Sequence, residues 1–250
     1  MNQSASRPAL VRKRADTLLV ERGFFLSRAR AQEAIAAGLV SADGHVVRKA
    51  SENLAPDAAI VAGAPHPWVS RGGVKLAAAL DAFALDPAGL LCLDIGASTG
   101  GFTHVLLTRG ARAVTSVDVG HGQFDAALAA DARVNLREGL DARRLSREIV
   151  GAPQAIVCDV SFISQRLVLP HVLSLADRPA WLVSLVKPQF EAGREHLVKG
   201  AVKDPTALRL ACEAVRRCVE ELGWTSLGLI PSPVLGGDGA REFLYAARHG

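Results

Sequence analysis

Asp94, Asp118, Asp159 and Lys187 each stand at or near the carboxyl end of a short apolar run. Runs of that kind read as buried strands, and in an open α/β sheet ligands gather beyond the carboxyl ends of the strands. The first of the four leads into Gly96-Ala97-Ser98-Thr99-Gly100-Gly101, a glycine-rich turn, and then into an apolar-periodic helix start at Phe102, Val105 and Leu106. Strand, glycine turn and helix make a nucleotide-binding entry, because backbone N–H groups there can approach a ligand closely. The glycines fall at 96, 100 and 101, so the G-x-G-x-x-G dinucleotide spacing is absent. Asp118, on the next strand, stands where a ribose diol would be bound. Together Asp94 and Asp118 suit a cationic, diol-bearing nucleoside such as S-adenosylmethionine better than a pyrophosphate cofactor. The plainer alternative is a βα turn with a capping Ser or Thr.

The elements that must hold these groups alternate along the chain. A helix after Gly101 precedes the strand 113–118, a helical stretch 124–131 and a strand near 134–136. Strands over 155–159 and 181–186 flank a helix over 165–175. Such alternation predicts an α/β fold with a doubly wound, mostly parallel, Rossmann-like sheet. Residues 76–83 read as a helix entered from the loop Ser70-Arg71-Gly72-Gly73-Val74-Lys75. Between Pro188 and Lys203 the chain is polar and aperiodic, a long loop of the kind that is more often functional than idle. Asp204 then caps a helix with Pro205 at its first position, running to Leu222 and stopped by Gly223. Two final strands, 227–230 and 242–247, are joined by a turn at 236–239.

Composition narrows the class. The chain has 250 residues, 49% of them hydrophobic, enough for a sizeable core and against general disorder. No run reaches the ~18 apolar residues of a membrane helix, and no apolar signal segment opens the chain. Four cysteines (Cys92, Cys158, Cys212 and Cys218) lack C-x-x-C spacing, so reduced core thiols in a cytoplasmic protein, without a metal site, are expected. The net charge is +4, unevenly spread: residues 1–30 hold seven basic and two acidic side chains. A basic face on a small N-terminal unit fits a polyanion such as nucleic acid, or is simply a solvated face.

That unit occupies residues 1–63, beginning with a short tail and followed by a stiff linker over 64–69. A short helix over 14–22 ends at Gly23, and a second runs from an N-cap at Ser27 to Ala37, with Gly38 after it. Arg28 and Arg30 fall on the outer side of the second helix. Asp43-Gly44 marks a type I′ hairpin between Val40 and Val46, and a last strand covers 58–61. Through Arg14-Ala15-Asp16, Ser27-Arg28-Ala29-Arg30-Ala31, Ile35, Gly38 and this hairpin, residues 12–63 resemble the S4 RNA-binding domain. The resemblance implies that Arg12, Arg14, Arg28 and Arg30 face RNA phosphates, which position a ligand without reading its sequence.

Four motifs carry a wider resemblance: Ser70-Arg71-Gly72-Gly73-Val74-Lys75-Leu76, the Asp94 to Gly101 loop, Asp159-Val160-Ser161-Phe162-Ile163-Ser164, and Val186-Lys187-Pro188-Gln189-Phe190-Glu191-Ala192-Gly193-Arg194, with Arg241-Glu242-Phe243-Leu244 near the end. Together they resemble the TlyA (haemolysin A) family, RNA ribose 2′-O-methyltransferases that join an S4 domain to an FtsJ-like methyltransferase domain, here 70–250. The resemblance implies S-adenosyl-L-methionine as cofactor, ribosomal RNA or ribosomal subunits as partner, Arg71 as a further RNA contact, and no metal or membrane. It carries a catalytic Lys-Asp-Lys-Glu tetrad onto Lys75, Asp159, Lys187 and Glu242. In that reading Lys187 is the base and Asp159 orients it. Lys75 supplies positive potential, and Glu242 holds either Lys75 or the ribose. The cofactor's adenine side would meet Asp141, where the family usually has Asn. Trp68 and Phe162 would stack on bases or pack, and His121, near Asp118, reads as structural.

Three rival functions remain in view. A dehydrogenase on the same general fold is opposed by the missing dinucleotide spacing and by the S4 pattern. An RNA-binding protein with a decayed enzyme domain is opposed by the complete tetrad. A haemolysin-like cytolysin is opposed by the lack of any membrane-inserting segment.

Overall fold

In a computed structural model, residues 11–236 and 239–250 are described. The chain forms two compact units, the first ending at Pro67 and the second beginning at Trp68. Among the described residues no helix is long and apolar enough to cross a membrane.

The first unit runs β1 (Lys13–Arg14), α1 (Ala15–Glu21), α2 (Arg28–Ala36), β2 (Val40–Ala42), β3 (His45–Val46), β4 (Asn53–Leu54) and β5 (Ile60–Ala62). Ser27 caps α2, its hydroxyl accepting the Arg30 N–H at 3.4 Å. Asp43 and Gly44 both have positive φ, 50° and 79°, as a type I′ turn demands, and β2 pairs with β3 across it and with β5 on its other side. Leu18, Leu19, Ala31, Ile35, Val40 and Leu54 make the core. Within it lies a fully buried carboxylate, Asp16. It accepts two hydrogen bonds from Arg14 at 3.0 Å, two from Arg28 at 3.2 and 2.8 Å, and one from Gln32 at 2.8 Å. Arg28 therefore reaches back across the unit and does not simply project outward, although its side chain keeps about half its exposure.

The second unit opens with α3 (Arg71–Ala82), which begins five residues earlier than the sequence pattern predicts. A Cβ at Gly73 would lie 2.4 Å from the Trp68 ring, and one at Gly101 2.2 Å from the Ser70 hydroxyl. The Ser70–Gly73 stretch is thus the first turn of a helix packed tightly against its neighbours, not a loop. There follow β6 (Leu91–Ile95), α4 (Gly101–Thr108), β7 (Ala113–Asp118), α5 (Ala126–Ala129), β8 (Val134–Glu138), α6 (Arg147–Val150), β9 (Ala155–Cys158), α7 (Leu169–Ser174) and β10 (Ala180–Val186). The helix expected over 124–131 shrinks to four residues, started by Asp125, which accepts the N–H groups of Ala127 and Leu128. The one expected over 165–175 breaks into a 3-10 turn (Gln165–Leu167) and α7, because Pro170 lacks an N–H and its ring crowds the preceding turn.

The stretch expected as a loop folds into α8 (Pro188–Glu191), a 3-10 turn (Arg194–His196) and a hairpin of β11 (Leu197–Val198) with β12 (Ala201–Val202). Then come α9 (Pro205–Glu221), β13 (Thr225–Pro231) and β14 (Phe243–His249). Asp204 caps α9 through the N–H groups of Thr206 and Ala207. The turn expected at 236–239 includes Gly237 and Asp238, which lie outside the described residues.

Seven strands form one sheet in the order β13-β14-β10-β9-β6-β7-β8. From β10 to β8 all pairs are parallel, while β14 is antiparallel to both of its neighbours. Both faces are apolar. Along β10, Leu182 and Val186 pack with α7 and α9, whereas Trp181, Val183 and Leu185 pack with α3 and α4. The strand order turns back between β6 and β9, the switch point at which such sheets bind ligands.

Asp16 sets a stability test for the first unit. Its arginine partners, Arg14 foremost, hold the carboxyl well below the usual carboxylate range against the cost of burial. A depressed value means stability that is present at neutral pH and lost as pH falls below about 4. Asp16→Ala should destabilise this unit by ~1.5–3 kcal/mol, the range for hydrogen bonds to charged groups. All three Trp residues lie beyond Pro67, so the measurement is amide hydrogen exchange across α1 and α2.

Candidate active site

The turn after β6 approaches the strand beside it as closely as backbone allows. Gly96 has φ 80°, and a Cβ there would lie 2.3 Å from the Asp159 carbonyl oxygen, so only glycine fits. Ser98 also takes a positive φ, 47°. Its N–H donates to Asp118 Oδ2 at 2.7 Å, and the Gly120 N–H donates to Oδ1 at 2.7 Å. Asp118 thereby ties the end of β7 to the glycine turn, and each of its oxygens retains a lone pair.

A cleft of about 520 Å³ opens at this edge, within the ordinary size range of small-molecule sites. Of the sequence-predicted cofactor residues, Gly96, Ser98, Asp118 and Asp141 line it, and Asp159 closes the far side. Asp141 faces Arg143, whose guanidinium holds that carboxyl at about 2 while the Asp caps a 3-10 turn over 142–144. Ala97, Thr99, Gly100, Gly101 and Phe102 do not line the cleft. Gly100 abuts Phe124 and Leu128, and Phe102 sits in the core between α3 and α4. A carboxylate on a backbone cradle, beside a turn with no room for a Cβ, suits a diol-bearing nucleoside.

Asp94 lies behind this surface. It is fully buried; Oδ2 accepts the Thr103 hydroxyl at 2.6 Å, and Oδ1 has no hydrogen-bond partner among the described residues. Burial, reinforced by the charges of Asp159 and Asp118, pushes its carboxyl up to about 7. Burial likewise pushes the thiols of Cys92, Cys158 and Cys212 up to about 12, as inert core residues.

The tetrad residues gather at the same edge as two ion pairs. Asp159 follows β9 and Lys187 follows β10; Lys187 Nζ lies 2.6 Å from Asp159 Oδ1 and donates to Ser161 Oγ at 2.8 Å. Glu242 precedes β14, and the pairing of Val186 with Phe243 sets it opposite Lys187. Its Oε2 accepts from Lys75 Nζ at 2.5 Å, with both side chains almost wholly buried. Of the two roles expected of Glu242, the contact present is the one with Lys75. Of the aromatic candidates, Trp68 packs on α3 and His104, while Phe162 is 92% exposed beside the cleft.

Sequence reasoning missed Glu191, which the fourth motif contains but to which it assigned no role. Glu191 is buried at the end of α8 and accepts from Ser164 Oγ at 2.6 Å and Gln165 N–H at 2.7 Å, with Arg166 3.5 Å away. Gln165 in turn donates to the Leu185 carbonyl and accepts from Ser184. The segment bearing Asp159 and the segment bearing Lys187 are thereby stitched together. An acidic residue between Phe190 and Ala192 was the available signal. Of the RNA candidates, Arg12 bonds the Asn53 carbonyl, Arg14 and Arg28 share Asp16, Arg30 is half-buried, and Arg71 is exposed at the start of α3.

Two stability measurements check these assignments. Because the folded Asp94 carboxyl titrates above its unfolded value, the folded protein holds an extra proton, and stability falls as pH rises from about 4 through about 7. Asp94→Asn removes that dependence, so the melting temperature of the variant should gain on wild type progressively between pH 5 and 8. For Lys75 and Glu242, removing one partner leaves an uncompensated buried charge. Lys75→Met and Glu242→Gln should each cost ~3–5 kcal/mol, and the double substitution clearly less than their sum. Urea unfolding followed by Trp fluorescence reports it, since Trp68, Trp181 and Trp224 all lie in the second unit.

Residues 68–249 match the FtsJ-like methyltransferase family, and residues 13–60 match the S4 domain. The chain is 45% identical over 241 residues to the 16S/23S rRNA (cytidine-2′-O)-methyltransferase TlyA of Mycobacterium tuberculosis, covering 95% of this chain and 90% of that one. It is 40% identical over 240 residues to YqxC of Bacillus subtilis, named as an rRNA methyltransferase, covering 93% and 84%. A solved structure from Streptococcus thermophilus, described as a hemolysin, superposes with a TM-score of 0.76 at 37% identity, over 96% of this chain and 89% of that one. The nucleoside cleft, the paired lysines and carboxylates, and these likenesses agree: the chain belongs to the FtsJ-like methyltransferases that carry an S4 domain, the family of TlyA.

Proposed function

We propose that this enzyme methylates the 2′-hydroxyl of a ribose in ribosomal RNA, in the cytoplasm, with Lys75, Asp159, Lys187 and Glu242 as its reaction centre. The observation that carries the reading is the pair of lysine–carboxylate contacts at the carboxyl edge of the sheet, with Asp159 shared between the cofactor cleft and Lys187. The methyl donor is S-adenosylmethionine, which supplies an electrophilic methyl carbon when bound.

A ribose hydroxyl is a weak acid and needs an acceptor for its proton as the oxygen becomes a nucleophile. Lys187 Nζ is the acceptor assigned to that proton. Asp159 and Ser161 hold the amine in place, 2.6 and 2.8 Å away. Lys75, held by Glu242, sets a positive charge near the forming alkoxide. Asp118 receives the nucleoside diol, and the Gly96 turn gives the cofactor its close backbone surface. Alignment of oxygen and methyl carbon supplies much of the acceleration, since proximity alone is worth ~7–11 kcal/mol. No step calls for a metal. In the first unit, Arg12, Arg14, Arg28 and Arg30 meet RNA phosphates, with Asp16 setting the direction of Arg14 and Arg28.

The test is single-turnover transfer from labelled cofactor to ribosomal subunits of a strain lacking the enzyme, with both substrates saturating. Lys187→Ala should slow the chemical step by ~10²-fold or more, as loss of a general base does. Lys187→Arg should not rescue it, because a guanidinium stays protonated. Near-normal rates in Lys187→Arg would remove the base role and leave that side chain as a fixed charge.

A further inference from the structure

A second cavity lies on the face of the sheet opposite Lys75, at the same edge. Here α9 leaves β13 incompletely covered, and Leu229 keeps 40% of its exposure. The groove between α9 and strands β13 and β14 holds about 450 Å³. Leu208, Leu229 and Phe243 supply its apolar floor, and Arg209, Arg216 and Arg241 its rim, with Glu213 the single acidic lining residue among the described ones. Arg216 is committed to Glu213 and Glu220. The Arg209 and Arg241 side chains are exposed and make no hydrogen bond or ion pair among the described residues, although, behind Arg216, the Arg209 charge helps to lower the Glu213 carboxyl.

The groove adjoins the reaction centre through the chain itself. Side chains alternate along a strand, so Glu242 and Leu244 point toward α3, while Phe243 packs on the α9 side. Arg241 and Phe243 thus flank Glu242 in sequence and line the groove across the sheet edge from it. A cationic rim over an apolar floor complements one class of partner well: a single-stranded nucleic acid, which presents phosphates to arginines and an apolar base face to the floor.

We propose that this groove is a second RNA subsite, taking a nucleotide that flanks the one whose ribose lies at Lys187. Arg209 and Arg241 hold its phosphate, and Leu229 and Phe243 lie under its base. The proposal rests on the ribosomal RNA reading above and adds where the strand runs once it leaves the reaction centre. It gives α9 a part in substrate recognition that none of the sequence motifs covers.

Steady-state methylation by the full-length enzyme tests it, on naked ribosomal RNA and on assembled subunits, both from a strain lacking the modification. Arg209 is exposed on a long helix, so Arg209→Glu should fold normally, with an unchanged melting temperature as the check. Arg209→Glu and Arg241→Ala should each raise KM for naked RNA by about tenfold, lower its salt dependence by about one phosphate contact, and leave kcat and S-adenosylhomocysteine affinity unchanged. Arg209→Lys should restore most of the affinity. Unchanged KM in both variants, beside a wild type that methylates the RNA, overturns the subsite alone. A defect on assembled subunits with naked RNA normal also overturns it, because the groove would then take a ribosomal protein. A wild type that methylates no ribosomal RNA overturns the functional reading and the subsite together.

Discussion

The Asp159 N–H donates to the Ile95 carbonyl at 2.8 Å, and the Asp159 carbonyl lies where a Cβ of residue 96 would have to sit. Through that single backbone approach the cleft and the proposed reaction centre share a wall. Widening it for any side chain at 96 would part β6 from β9 at the switch point and carry Asp159 away from the cleft it lines. The neighbouring contacts depend on it in turn. Asp118 can cradle the glycine turn only while that turn lies flat, and Lys187 can reach Asp159 only from the next strand in register. A parallel sheet makes this cheap, because its strands end side by side and hydrogen bonds lock their register.

Three of the buried charge arrangements among the described residues differ in kind. Asp16 accepts hydrogen bonds from Arg14, Arg28, Gln32 and Thr17 and stays firmly ionised. Lys75 and Glu242 neutralise each other directly. Asp94 has a single hydroxyl partner, and burial drives it toward the neutral acid. The first arrangement orients surface arginines, the second fixes a cation within the proposed reaction centre, and the third places a titratable group behind the cleft. Buried charges without partners cost far more than paired ones, so each arrangement restricts what its neighbours can be.

The proposed substrate contacts lie on surfaces of different character. Among the proposed RNA contacts of the first unit, Arg14 and Arg28 are held by one buried carboxylate, an arrangement that suits phosphates and carries no sequence information. The groove beside α9 combines cations with apolar area, which suits a nucleotide taken whole. Glu191 belongs to neither, yet it stitches together the segments that carry Asp159 and Lys187. A reaction whose barrier falls mainly through alignment depends on such braces as much as on the reacting groups.

Signals carried by neighbouring residues were legible in the sequence: the caps at Ser27 and Asp204, the type I′ turn at Asp43-Gly44, the strand–glycine–helix entry and the charged residues at strand ends. Each rests on local backbone preference, which a few residues determine. The early start of α3 was hidden because the tight contacts of Gly73 and Gly101 involve Trp68 and Ser70 from separate elements. The hairpin and short helix after Lys187 were hidden because elements of two to four residues show no periodicity. Lys75 and Glu242 stand 167 positions apart, and what joins them is the insertion of β14, antiparallel, between β10 and β13. That insertion also sets Arg241 and Phe243 beside α9. The sequence by itself determined which residue types reach the edge of the sheet. Only the tertiary structure decided which of them touch, because strand order and register are settled by the pairing of whole strands and by burial on both faces, and no local stretch of chain encodes either.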